Sequence, residues 1–60
     1  FNQEQFVSAI LRGDALAVDL FITGAGVDIN APAQGTTPLA AAESGERQEI
    51  IALLKSAGAH

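Results

Sequence analysis

The residues able to do chemistry are few, and each has a structural use close at hand. Ser8, Ser44 and Ser56 could act as nucleophiles, but the single histidine, His60, stands at the chain end, where a base is poorly positioned. Glu43, Glu46 and Glu49 recur at spacings of three, a pattern that could pair carboxylates for a metal ion or for acid–base work. Carboxylates at a helix start also oppose the helix dipole favourably, and a solvated helix-start face accounts better for these three. Arg12-Gly13-Asp14 is the tripeptide that integrin-binding loops display, and it needs an exposed, extended loop tip to work. Here Gly13 can end one helix and Asp14 can begin the next, and Ser44-Gly45-Glu46 repeats that job without the tripeptide. Gly24 and Gly26 form a Gly-x-Gly, but no hydrophobic strand precedes it and no helix N-terminus follows at once, as a phosphate cradle requires. With no cysteine and one terminal histidine there is no metal-ligand set. The expectation is a chain without catalytic, cofactor-binding or metal-binding residues, and so no enzyme.

The elements that carry these residues can be read from punctuation and periodicity. Asn2 with Gln5 three residues on resembles a capping box, which predicts a helix over about 3–12 with Phe6 and Ile10 on one face. Gly13 ends it and Asp14 caps a second helix, along which Val18, Phe21, Ile22 and Ala25 fall at i, i+3, i+4 and i+7. Gly24, Gly26, Asn30, Pro32 and Gly35 then predict a turn-bearing connection, with two short extended arms and a tight turn near Ala33, Gln34 and Gly35. Thr37 caps a third helix with Pro38 at its first position, where the missing N–H costs nothing and the fixed φ suits the helix. Ala40, Ala41 and Ala42 give that helix high propensity and little bulk, so that a fourth helix can approach closely. Gly45 repeats the break, and Ile50, Leu53, Leu54 and Ala57 repeat the apolar stripe before Gly58 ends the last helix.

These elements occur twice. An offset of 32 pairs Gly13 with Gly45 and Gly26 with Gly58, and also Val18 with Ile50, Phe21 with Leu53 and Ile22 with Leu54. A period of roughly 20 to 50 residues marks stacked units, each covering the apolar face its neighbour exposes. One unit spans about residues 3–34 and the other about 35–60, within a single domain over 1–60.

The segment GTTPLAAAESGERQEIIALLKSAGA, preceded by GVDINAPAQ, resembles the ankyrin repeat. Thr37, Pro38 and Leu39 match the opening of the family's inner helix and Gly45 its turn. Ile50, Ile51, Leu53 and Leu54 match the outer helix, and Gly26, Val27, Asp28, Ile29 and Asn30 the exit. The resemblance implies an all-α, solenoid-like fragment of two helix-turn-helix repeats joined by a hairpin-like loop. It also implies protein–protein interaction through the concave face of loop tips and inner helices. The family's variable contact positions fall here on Glu4, Ser8, Arg12, Ala33, Gln34, Thr36, Glu43 and Ser44. Gln5 and Phe6 stand where Thr-Pro would sit in the first copy, which looks degenerate as terminal repeats often are. Ala40 replaces the usual His and Gln34 the usual Asp, so the inter-loop side-chain bonds of the family should be absent and the loop looser. The offset of 32 against the family's usual 33 suggests a connection one residue shorter, with the hairpin turn deviating locally while the helices keep register.

Composition narrows the partners. Three Lys and Arg against seven Asp and Glu, a formal charge of −4, argue against nucleic-acid or anionic-membrane surfaces. No apolar run approaches the ~20 residues that span a bilayer, and no signal sequence opens the chain. It reads as soluble, with the cytoplasm favoured and the compartment otherwise open. A first residue other than Met points to residues upstream, and with them any targeting information. Sixty residues bury only about 60% of the surface of the unfolded chain, and no disulfide adds support. A neighbour is therefore expected. Leu16 and Leu20 of the first copy stand where Gln48 and Ala52 stand in the second, so the second copy has the polar skin of a terminal unit. The Leu16 and Leu20 side, with Phe1, looks like a face for an upstream repeat, a fused domain or a second copy of the chain. The alternative reading is thus a structural capping or self-associating unit of a larger protein.

Overall fold

The computed structural model describes residues 3–60. Asn2, half of the expected capping box, and Phe1 lie outside them. Four α-helices make up the described chain: α1 (Gln3–Arg12), α2 (Ala15–Gly24), α3 (Pro38–Ser44) and α4 (Gln48–Ser56). None is long and apolar enough to cross a membrane. Each helix follows from local chemistry. α1 buries Phe6, Val7, Ala9 and Ile10, the i, i+1, i+3, i+4 set of one face. Gly13, at φ 78°, turns the chain out of it, and the amides of Gly13 and Asp14 donate back to Ile10 and Ala9 at 3.0 Å each. Asp14 then caps α2, accepting from the Ala17 amide at 3.1 Å, as the structural reading of Arg12-Gly13-Asp14 requires. Thr37 caps α3 through the Ala40 amide at 3.2 Å, with Pro38 in the first turn.

The second helical turn departs from the first. Gly45 sits at φ −91° and does not repeat the left-handed role of Gly13; Glu46 takes that role at φ 54°. The closing bond runs from the Arg47 amide to Ala42 at 2.9 Å, matching Asp14 to Ala9 at an offset of 33. Glu46 therefore does not cap α4. Arg47 holds the cap position and makes no side-chain cap bond. The C-terminal ends keep the offset of 32, with Ala25 and Ala57 as caps and Gly26 and Gly58 at positive φ. The difference of one residue is absorbed in α4, which has 9 residues against 10 in α2. The local deviation thus falls in the α3–α4 turn.

Between α2 and α3 the expected hairpin narrows to one antiparallel bridge, Ala33 with Thr36, whose amides donate to each other's carbonyls at 2.8 and 3.1 Å. Gln34 and Gly35 fill the two-residue turn at φ 54° and 77°, the doubly left-handed geometry that matches strand twist. Nothing pairs beyond this bridge among the described residues, so the arms remain irregular.

α1 packs against α2 and α3, and α4 against α3 and α2. Ala41 and Ala42 let the backbones approach, while Phe6, Ile10, Val18, Ile50 and Leu54 fill the space between them. The Phe6 and Phe21 rings meet at 5.8 Å and 55°, a tilted contact that joins the first hairpin.

Candidate functional site

Glu4, Ser8 and Arg12 recur at i, i+4 and i+8, which sets them in one row along α1. Phe6 and Ile10 are buried on the opposing side, so the row is forced outward: Glu4 and Arg12 are exposed and Ser8 half-buried. The loop tip joins this row through Gln34. Its side-chain amide donates to the Glu4 carbonyl at 2.8 Å and to the Ser8 Oγ at 2.7 Å. Where a looser loop was expected, Gln34 instead reaches α1 and anchors the tip. The other end of the connection is held by Gln3, which donates to the carbonyls of Asp28 and Ala31 at 2.6 and 3.1 Å and accepts from the Asp28 amide at 3.3 Å. Nothing local in the sequence distinguishes Gln3, a first-turn glutamine that bonds 25 residues away.

Ala33 and Thr36 lie half-buried beside Gln34, so the structure gathers Glu4, Ser8, Ala33, Gln34 and Thr36 at one end of the face. Ser8 and Gln34 satisfy each other, which leaves the Glu4 carboxylate and the remaining capacity of the Ser8 hydroxyl toward a partner. Arg12, Glu43 and Ser44 stand at the other end, in the last turns of α1 and α3. Both helices finish beneath Arg47: its guanidinium lies over Gly13, where an added Cβ would come within 2.6 Å of Cζ, and it donates to the Leu11 carbonyl at 3.5 Å. A cation there also suits the negative end of the α1 dipole. Arg12 pairs loosely with Asp14, at 3.7 Å with both side chains largely in water, a contact worth little. Glu43 and Ser44 are exposed.

Ser8 and His60, two of the residues that could do chemistry, both have structural partners. Ser8 is bound to Gln34, and the His60 ring faces the Gly58 carbonyl at 3.1 Å while its amide donates to Asn30 Oδ1 at 3.0 Å. Asn30 in turn donates to the Gly58 carbonyl at 3.4 Å, tying the exits of α2 and α4 together. Among the described residues no three of His, Cys, Asp and Glu come together to hold a metal ion.

Comparison with known proteins leaves this geometry to speak for itself: no family model, no curated protein and no solved structure matches the chain.

Proposed function

We propose that the chain is a non-catalytic interaction module of ankyrin type, binding a protein partner through the face of α1, α3 and the Gln34 tip. The observation that carries this reading is the pair of hydrogen bonds that the Gln34 side-chain amide donates to the Glu4 carbonyl and the Ser8 Oγ. It joins loop and helix into one surface that need not be ordered on binding, which lowers the entropy cost of association. The rest of the face supplies what an interface rim uses: exposed Glu4 beside the smaller, half-buried Ala33 and Thr36 at one end, and exposed Arg12, Glu43 and Ser44 at the other. A ligand selected against the immobilised chain from a random peptide display library provides the test. The combined variant Glu4→Lys, Arg12→Glu, Glu43→Lys should lower its affinity by about 100-fold, as loss of several contacts at ~1 kcal/mol each implies, with unchanged helicity. Unchanged affinity would sink the proposal.

A second reading, a capping or self-associating unit, is favoured by one observation: Leu16 and Leu20 on α2 are 70% and 61% exposed. Two large apolar side chains on the outside of so small a domain call for a cover.

A further inference from the structure

We propose, resting on that second reading, that the cover is a second copy of this chain, joined through α2 about a two-fold axis. α2 is apolar nearly all round: Asp19 is its single charge, yet Val18 is its single fully buried residue. A helix of that composition is built to be covered on more than one side. Leu16 and Leu20 fall at i and i+4, both exposed, and form a ridge. Beside it runs an apolar trough of about 250 Å³, lined by Ala17, Leu20, Phe21, Gly24 and Ala25. Ala17, Gly24 and Ala25 leave it open between the larger Leu20 and Phe21, and a Cβ added at Gly24 would meet nothing within 4 Å.

Ridge and trough on one helix face are self-complementary. Two α2 helices related by a two-fold axis can each seat the Leu16–Leu20 ridge in the other's trough, the packing of matching i±4 rows that crosses at about −50°. Charge favours the same arrangement. The last turn of α2 carries no basic residue, and Arg12, 60% exposed, stands just before its first turn. In an antiparallel pair the guanidinium comes to the partner's uncompensated C-terminal carbonyls, and the two helix dipoles oppose. Head-to-tail growth is disfavoured because the matching outside of α4 exposes Gln48, Glu49, Lys55 and Ser56 in place of leucines. One ten-residue helix, about 15 Å long, covers less than the ~800 Å² per partner of a standard interface. The pair accordingly belongs with the small, transient interfaces and is sought at high protein concentration.

Sedimentation equilibrium of the 60-residue chain from ~10 µM to ~1 mM tests this, with an apolar dye as a second probe of the α2 face. The apparent mass should climb from 6.1 kDa toward twice that value. Leu16→Asp and Leu20→Asp, at exposed positions that folding does not need, should each hold it at the monomer value with helicity intact. Lys55→Glu, on the outside of α4, should leave the climb unchanged. A chain that stays monomeric at ~1 mM overturns the proposal; dye bound through Leu16 and Leu20 would then keep the covered-face reading alive with another occupant, and no dye binding would remove both. Association that survives Leu20→Asp, or that grows beyond two copies, overturns it as well.

Discussion

At the residue scale, left-handed backbone decides which substitutions this chain accepts. Gly13 and Glu46 hold equivalent places in the two helical turns, at φ 78° and 54°, but only the first is glycine. An L side chain costs ~1–2 kcal/mol in that region. Gly13→Ala should therefore destabilise by about that amount, with the guanidinium of Arg47 also forced aside, whereas Glu46→Gly should stabilise by up to ~1 kcal/mol. Paired thermal denaturation of the two variants reads the opposite signs. Equal signs would mean that the two turns do not share one geometry. Asp14→Ala removes the α2 cap bond and should cost ~1 kcal/mol in the same measurement. The Asp14 and Thr37 caps were legible from sequence because a cap is a local bond, spanning three residues. The role of Glu46 was not, since the offset of 32 aligned Gly45 with Gly13 while the hydrogen bonds follow an offset of 33.

At the element scale, two long side chains connect pieces that helix propensity alone would leave separate. Arg47 spans from the start of α4 to the end of α1, and Gln34 from the loop tip to the middle of α1. Both reach 26 residues or more along the chain, so periodicity and capping rules, which work within a dozen residues, could not reveal them. Gln34→Ala should free the tip while leaving the four helices in place. Losing about 1 kcal/mol of local bonding corresponds to several-fold faster amide exchange at Ala33 and Thr36. Exchange unchanged at those two amides would show that the bridge alone fixes the loop. For the Arg47 contact a double-mutant cycle is apt: Gly13→Ala should cost measurably less when Arg47 is already Ala, by ~0.5 kcal/mol or more, because the obstructing guanidinium is gone. Additive costs would place the guanidinium elsewhere in solution.

On the scale of the whole molecule, four short helices share one small core, and each buried side chain carries a large part of it. Ile10 touches that core from α1, fully buried, and Ile10→Ala should cost ~2–5 kcal/mol. A domain of this length holds only ~3–9 kcal/mol in all, at ~0.05–0.15 kcal/mol per residue. Circular dichroism should accordingly show a lowered melting point or outright loss of helicity, and an unchanged melting point would mean that α1 does not pack as described. The apolar stripes made the helices and most of this core readable, down to Val18, Ile50 and Leu54. The arrangement of the polar face was less so, because it depends on where the loop tip lands. The proposed function rests on that face being the binding surface. Amide chemical-shift mapping of the labelled chain, titrated with the display-selected peptide, tests it most directly. The largest shifts are expected at Glu4, Ser8, Arg12, Gln34, Glu43 and Ser44, with the exteriors of α2 and α4 unmoved; shifts centred on Leu16 and Leu20, or on Glu49 and Lys55, would overturn the proposed binding face.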